Sequence, residues 1–140
     1  MRYYLDTNIV AFMLFDIHDG DNIERDVLNI LHDYENIFYI SSVALRELVK
    51  LYNDGEFKSV KYKSYHDLFS FIEKLEIEVK SFTKKHVAAY AELMPVFDHK
   101  DPTDHMIIAQ AISDKIAVIS SDRKFKLYES QGLQLVFNKR

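Results

Sequence analysis

The chain has 140 residues, of which 48% are hydrophobic and 14% aromatic, with 18 Lys and Arg against 22 Asp and Glu. This composition excludes a disordered chain, the absence of cysteine excludes disulfides and thiolate chemistry, and a net charge of −4 gives no bulk attraction to nucleic acid. No apolar run is long enough for a membrane span or a signal peptide, so we expect one cytoplasmic domain, residues 1–140.

Short segments rich in β-branched and aromatic residues alternate along the chain with segments of helical periodicity. In chain order, the predicted elements are strand Arg2–Leu5, helices Thr7–Phe15 and Asn22–Tyr34, strand Ile37–Ile40, helices Ser42–Tyr52 and Tyr65–Lys74, strand Glu76–Lys80, helices Thr83–Leu93 and Thr103–Asp114, strand Ile116–Ser120, helix Arg123–Glu129 and strand Gln134–Phe137. This alternation is typical of an α/β fold, with a mostly parallel sheet covered by helices on both faces. Ligand sites in such folds lie beyond the carboxyl ends of the strands.

Two aspartates lie at these strand ends. Asp6 follows the first strand directly, and Asp122 comes two residues after the strand that ends at Ser120. Asp is also a favoured N-cap residue, because its carboxylate accepts a hydrogen bond from a free N–H at the start of a helix. Taken alone, each of the two is more simply interpreted as a helix cap.

Glu47 lies on the apolar face of its predicted helix. On a helical wheel it falls between Val43 and Leu51, whereas Arg46 and Lys50 hold the opposite face. Burial of an unpaired carboxylate costs several kcal/mol, so such a group usually shifts its pKa or finds a partner. A salt bridge to a cation elsewhere in the chain is the alternative interpretation.

Asp104 is a second acid on a core-facing helix stripe. It shares that stripe with Ile107, Ile108 and Ala111 in the first turn of the helix. The preceding Asp101 and a proline form a typical helix start, with Asp as N-cap and Pro at the first helical position. We therefore interpret Asp101 as structural, and we expect Asp104 to be stabilised by the helix dipole while facing the cleft.

The four acids should meet at one edge of the sheet, where uncompensated carboxylates would repel one another and take up protons. Mg²⁺ and Mn²⁺ prefer oxygen ligands, so the acids predict a site for one of these ions, held by Asp6, Glu47, Asp104 and Asp122. The histidines show no paired ligand spacing and no zinc motif, and each is interpreted as a surface or an internally satisfied residue: His18, His32, His66, His86, His99 and His105.

Four segments, YYLDTNIV, SSVALRELVKLYNDGEF, HKDPTDHMIIAQA and VISSDRKF, resemble the PIN domain, specifically its VapC-type toxin ribonucleases. The resemblance runs from about Tyr3 to Phe137, with the motifs in the family's order. By this resemblance the family's acids match the four named above, and its hydroxyl residues match Thr7 and Ser120. Where the family's third motif often reads Asp-Pro-Phe-Asp-Arg, this chain has Thr103 and His105.

The resemblance implies an α/β/α sandwich with a central five-stranded parallel sheet and a homodimer. It also implies Mg²⁺- or Mn²⁺-dependent cleavage of RNA, and a small antitoxin whose C-terminal segment crosses the active site. In this hypothesis Asp6, Asp104 and Asp122 bind the metal, and Glu47 is a further ligand or the base that orients the attacking water. Thr7 and Ser120 would hold carboxylates or waters in place, although local capping explains them equally well.

Two basic groups are candidates for substrate contact. The first combines Lys58, Lys61 and Lys63 with the rings of Tyr62 and Tyr65, and the second comprises Arg123, Lys124 and Lys126. Cations beside aromatic rings suit single-stranded RNA, but a solvated surface is the simpler interpretation of the first group. Phe12 and Phe15 are interpreted as core residues, with a dimer contact as the alternative.

Two other functions remain in view. A non-catalytic PIN-like module that binds RNA or protein would be favoured by the loss of an acid, and none is lost. A receiver-like, Mg²⁺-binding signalling domain would need adjacent acids after the first strand, whereas Thr7 and Asn8 follow Asp6. The target of the nuclease, whether transfer, ribosomal or messenger RNA, and the number of metal ions stay open.

Overall fold

The structure, a computed structural model, describes residues 1–14, 22–55 and 62–139. Within these residues five strands form one sheet: β1 (Arg2–Leu5), β2 (Ile37–Ser41), β3 (Ile77–Lys80), β4 (Ala117–Ser120) and β5 (Leu135–Phe137). The helices in the same part of the chain are α1 (Thr7–Leu14), α2 (Arg25–His32), α3 (Ser42–Asn53), α4 (Tyr65–Lys74), α5 (Lys84–Glu92), α6 (Pro102–Asp114) and the 3-10 helix (Arg123–Gln131). The predicted alternation of strands and helices is confirmed.

The sheet is parallel throughout, with the strand order β3-β2-β1-β4-β5. The first strand is central, and Tyr3 pairs with Phe38 on one side and with Ala117 on the other. The chain builds the sheet outward from β1 to β3 and then crosses back to β4, so β1 and β4 flank the point where the order reverses. Parallel α/β sheets place their ligand crevice at the carboxyl ends of such a strand pair. A receiver-like domain has the order 2-1-3-4-5, so this alternative is wrong.

Helices cover both faces of the sheet. Successive residues of a strand point to opposite faces, and all four residues of β4 are buried. Tyr4, Leu5, Ile40, Val118 and Ile119 are almost completely buried at the centre of the hydrophobic core. This burial explains why the strands read as continuous apolar runs, and it confirms the predicted α/β/α arrangement.

The helix limits differ most at α2, which was predicted from Asn22 to Tyr34 and runs from Arg25 to His32. The side chain of Asn138 donates to the carbonyl oxygen of Asn22 at 2.6 Å and accepts from the backbone N–H of Glu24 at 2.8 Å. These backbone groups are used outside the helix, so the helix begins later. The predicted last residue of α1, Phe15, lies outside the described residues, and Phe12 packs partly buried against the core.

Ser41 is the cap of α3, as one of the two predicted positions, because its hydroxyl accepts from the N–H of Val43 at 3.1 Å. Among the described helices, none is both long and apolar enough to cross a membrane.

Candidate metal centre

A cleft of about 410 Å³ opens beyond the carboxyl ends of β1 and β4. It is lined by the four predicted acids together with Asp101 and a smaller set of polar and apolar side chains: Asp6, Thr7, Asn8, Ala11, Phe12, Glu47, Leu51, Asp101, Asp104 and Asp122. The structure therefore brings together acids that lie more than 100 residues apart in the sequence. Asn8 and Asp101 also line the cleft, although the sequence did not indicate a site role for either.

Asp6 is fixed by two hydrogen bonds at the end of β1. Its Oδ1 accepts from the backbone N–H of Thr7 at 2.8 Å, and its Oδ2 accepts from the Ser120 hydroxyl at 2.7 Å. Thr7 is the first residue of α1, so Asp6 accepts a free N–H at the start of a helix, as the capping interpretation predicted, while Ser120 holds its second oxygen. Burial raises the pKa of this carboxyl to about 6, against the lowering effect of both hydrogen bonds.

Ser120 ties Asp6 to Asp122. The Ser120 oxygen that donates to Asp6 also accepts the backbone N–H of Asp122 at 3.0 Å. Asp122 in turn caps the 3-10 helix, because its Oδ1 accepts the N–H of Lys124 at 2.9 Å, as the capping interpretation predicted. The second oxygen of Asp122 accepts no hydrogen bond from the described residues and remains available to a ligand.

Glu47 is half-buried in the wall that α3 contributes to the cleft. Burial raises the pKa of its carboxyl to about 7, and the charges of Asp6 and Asp101 add to the effect. Arg46 and Lys50 oppose this shift only weakly. No cation in the described part of the chain lies within ion-pair distance of Glu47, so the salt-bridge alternative finds no support there.

Asp104 is the third residue of α6, whose start follows the predicted pattern. Asp101 is the N-cap and accepts the N–H of Thr103 at 2.9 Å, and Pro102 is the first helical residue. Burial raises the pKa of Asp104 to about 8, and further increases come from the charges of Asp6, Asp101, Asp122 and Glu47. A carboxyl that responds to all four neighbours shows that the five acids share one electrostatic environment.

His99, which the sequence did not single out, contacts this acid cluster. It is 3% exposed, and its Nε2 lies 3.1 Å from Oδ2 of Asp104. Its Nδ1 lies 2.7 Å from the hydroxyl of Tyr128, which also accepts the N–H of Val96 at 3.0 Å. Burial lowers the pKa of His99, with a further contribution from His105, and this favours the neutral ring.

The hydrogen-bond pattern assigns the tautomer of His99. Among the described residues, Nδ1 of His99 is the acceptor within reach of the Tyr128 hydroxyl proton, and the oxygen of that hydroxyl accepts from Val96. Nε2 then carries the ring proton and donates to Asp104. One ligand atom from each of His99, Asp104 and Asp122 lies within 4.8 Å of the others, but this tautomer makes His99 a support for Asp104 rather than a metal ligand.

The family model of the PIN domain matches residues 3–130. The chain belongs to the PIN domain family. No curated protein sequence matches this PIN domain.

Solved structures share its fold at low sequence identity. VapBC2 from Rickettsia felis, bound to a DNA fragment from its promoter, is 22% identical over 99% of this chain and 100% of the other, with a TM-score of 0.68. DNA-bound VapBC from Salmonella typhimurium is 24% identical over 98% of both chains, with a TM-score of 0.63. VapBC-1 from nontypeable Haemophilus influenzae is 22% identical over 98% of both chains, also with a TM-score of 0.63.

Of the predicted basic residues that the structure describes, Lys63, Arg123 and Lys124 are not part of the cleft lining. Lys58 and Lys61 lie outside the described residues. Lys63 is exposed, and its backbone N–H donates to Asp67 at 2.8 Å. Arg123 and Lys124 are exposed and directly follow Asp122.

The interpretation of Tyr62 as a stacking ring for RNA is wrong. Its side chain is only 2% exposed, and its hydroxyl donates to the carbonyl oxygen of Leu14. Tyr65 is 48% exposed, but its ring packs against those of His66 and Phe69.

The interpretation of the histidines holds in part. His32 and His66 are exposed, and His86 and His99 are buried with hydrogen-bond partners. His105 is buried, and its Nε2 has no partner among the described residues, so it is not fully satisfied. His18 lies outside the described part of the chain.

The donor set of the cleft fits a hard divalent cation. Its ionisable lining groups are carboxyls, with no sulfur and no free imidazole nitrogen among the described residues, and carboxylate oxygens are the ligands that Mg²⁺ and Mn²⁺ prefer. The buried Thr7 hydroxyl in the same lining has no hydrogen-bond partner within the described chain. The cleft therefore contains a buried oxygen whose hydrogen bonds the described residues do not satisfy.

Proposed function

We propose that this PIN domain is a metal-dependent endoribonuclease and the toxin of a VapBC-type toxin–antitoxin pair. The observation that carries the proposal is the convergence of Asp6, Glu47, Asp104 and Asp122 in one cleft. Burial and mutual repulsion raise the pKa of three of these carboxyls, to values between about 6 and about 8. A cation in the cleft would relieve this repulsion and return the groups to their charged form.

Asp6, Asp104 and Asp122 would hold the ion. Ser120 orients the first of these through its hydroxyl, and His99 orients the second through Nε2. A bound Mg²⁺ or Mn²⁺ ion would lower the pKa of a water molecule and offset negative charge on the phosphate oxygens. Because the supporting hydrogen bonds are already formed, the carboxylates need little rearrangement to receive the ion.

Glu47 is suited to act as the general base. It lines the cleft beside the other three acids, and a cation there would keep its carboxylate charged and able to accept a proton. In this reaction water attacks phosphorus in line, the bond from phosphorus to the 3′-oxygen breaks, and the proton of the water passes to Glu47. The 3′-oxygen takes up a proton from solvent as it leaves, so the products are a 5′-phosphate and a 3′-hydroxyl.

The partners are proposed from likeness alone. The similar solved structures are of VapBC proteins, two of them bound to DNA. We propose a small antitoxin that covers the cleft of this PIN domain, and a homodimer in the cytoplasm. Co-expression with the protein encoded beside it, followed by purification through a tag on the PIN domain, tests the antitoxin, and light scattering tests the dimer.

The enzyme assignment is tested with purified protein and transfer, ribosomal and messenger RNA. Cleavage in Mn²⁺ that stops with a chelator and in Asp6→Asn is the expected result. Cleavage that resists the chelator, or full activity of the variant, contradicts the assignment. Products that end in a 2′,3′-cyclic phosphate would contradict attack by water. Binding of RNA without any cleavage would favour the non-catalytic alternative.

A further inference from the structure

Phe97 is the most exposed aromatic side chain of the described residues, with 97% of its surface in water. It lies in the segment between α5 and α6, close to Met94, which is 73% exposed. Single exposed apolar residues are common on protein surfaces, so exposure alone carries no function. What distinguishes Phe97 is how firmly the chain around it is held and where it is placed.

Hydrogen bonds on both sides hold the turn that carries Phe97. The N–H of His99 donates to the carbonyl oxygen of Val96 at 3.0 Å and closes a β-turn. Its third residue, Asp98, has φ of 71°, a left-handed conformation that Asp tolerates better than most residues. The side chain of Gln131 accepts from the N–H of Met94 at 3.0 Å and donates to its carbonyl oxygen at 2.7 Å.

The same turn is tied to both sides of the acidic cleft. Two residues after Phe97, the ring of His99 hydrogen-bonds to Asp104. The carbonyl oxygen of Asp98 accepts from Nζ of Lys124 at 3.2 Å, and the backbone N–H of Lys124 donates to the capping carboxylate of Asp122. Two residues span at most about 7 Å, so the backbone of Phe97 lies within that distance of His99, whose ring reaches Asp104 in the cleft.

Three cations lie close in the sequence to this turn or to Asp122. Lys100, Arg123 and Lys124 are exposed, and none of them forms an ion pair with an acid in the described part of the chain. A protein-docking surface would need a large contiguous apolar patch, whereas this segment exposes two large apolar side chains, Met94 and Phe97, and continues with the charged Asp98 and Lys100. A flat ring among unpaired cations instead matches a polyanion that carries aromatic bases.

We propose that Phe97 is a stacking platform for one unpaired base of a single-stranded RNA, beside the phosphate that enters the acidic cleft. Lys100, Arg123 and Lys124 contact the flanking phosphates. This inference rests on the proposed function, and it specifies an unpaired substrate strand. Stacking on a fixed ring has a low ordering cost, because the turn is already held before RNA binds.

Binding of oligoribonucleotides that contain 2-aminopurine, a base whose fluorescence falls when it stacks, tests the platform. The assay uses full-length protein in Ca²⁺, with a gel to show that the RNA stays intact. Phe97→Ala should weaken binding by about 5- to 150-fold and abolish the quenching. Phe97→Tyr should restore both, because it keeps the ring, whereas Phe97→Leu should restore neither.

Tyr34 provides the matched control. It is 95% exposed and lies in the turn before β2, at the amino ends of the strands, whereas the cleft lies at their carboxyl ends. Tyr34→Ala should bind RNA as the wild type does. Equal binding and quenching in Phe97→Ala would overturn the platform while cleavage by the wild type upholds the nuclease. A change of oligomeric state in Phe97→Ala at unchanged RNA affinity would assign the ring to a protein contact instead. Wild-type protein that neither binds nor cleaves RNA would remove the proposed function itself.

Discussion

The two ends of α6 each carry a partly buried aspartate. The pKa values of these two carboxyls are shifted in the direction opposite to the one that the helix dipole favours at each end. The helix dipole stabilises a negative charge at the first turn, where Asp104 lies, and disfavours it at the last residue, Asp114. Yet burial and neighbouring acids raise the pKa of Asp104 to about 8. Burial would also raise the pKa of Asp114, but hydrogen bonds from Tyr4 and His86 outweigh it and lower that pKa.

The partners of the two carboxyls explain the difference. Asp114 accepts from the Tyr4 hydroxyl and, at 2.9 Å, from Nε2 of His86, and Nζ of Lys85 lies 3.6 Å away. Asp104 has a comparable histidine, His99, but otherwise faces other acids. A buried carboxylate with its own donors is a structural link between elements. Asp104, with one such donor in the described chain and four neighbouring acids, is a carboxylate that a cation would stabilise.

The sharpest test of this comparison is activity. Asp104→Asn removes a charged oxygen ligand and should lower RNA cleavage in Mn²⁺ on the order of 10³-fold, because metal catalysis contributes several kcal/mol to the barrier. Asp114→Asn is the matched control at the other end of the helix and should cleave within a few-fold of wild type. Equal losses in both variants would mean that the two ends do not differ in function.

The histidines that contact the two ends of α6, His99 and His86, should differ in their effect on Mn²⁺ affinity. His99→Ala and Tyr128→Phe should each weaken Mn²⁺ binding by about 10- to 100-fold, because Asp104 loses the donor that orients it, directly or through the ring tautomer. Electron paramagnetic resonance of Mn²⁺ measures this affinity without RNA. His86→Ala, at the other end, should leave the affinity unchanged. Coupling of Mn²⁺ to an imidazole nitrogen in the wild type would show instead that His99 is a ligand.

Stability should respond in the reverse direction. Asp114→Ala removes the acceptor of Tyr4 and His86 and should lower the free energy of unfolding by about 1–3 kcal/mol. Asp104→Asn should raise the stability of the metal-free protein, because one member of a repelling cluster is removed. Urea denaturation in the presence of a chelator compares the two. A loss of stability in Asp104→Asn would show that its charge is already compensated.

The pH dependence of that stability tests the same comparison through its charges. The raised pKa values of about 6, 7 and 8 for Asp6, Glu47 and Asp104 mean that folding takes up protons. The associated stability is complete below the unfolded values of about 4 and is lost as pH rises toward 8. The lowered pKa of Asp114 acts oppositely, and its contribution is lost as pH falls below about 4.

Urea denaturation of the metal-free protein between pH 3 and pH 9 measures both limbs. Asp104→Asn should reduce the loss of stability that occurs as pH rises toward 8. Asp114→Asn should reduce the loss that occurs as pH falls below about 4. If the loss of stability with rising pH is the same in Asp104→Asn as in the wild type, Asp104 is not the source of the repulsion.

The sequence predicted features whose causes are local. Adjacent residues determine a helix start such as Asp101-Pro102, and they also determine which acids follow a strand. The sequence was therefore sufficient to place the elements and the four acids that line the cleft. His99 could not be placed, because its orientation depends on Tyr128, which reaches it from the 3-10 helix. The start of α2 was misplaced for the same reason, since Asn138 takes up the backbone groups before it.

The hydrogen bond between Ser120 and Asp6 joins residues 114 positions apart, and β1 is the central strand of the sheet. Asp6 is therefore synthesised long before the serine that orients it and before the nearby Asp122. A nascent chain that stops before β4 can fold neither the middle of the sheet nor the acidic cleft. A product truncated before β4 lacks the assembled cleft on which the proposed nuclease activity depends.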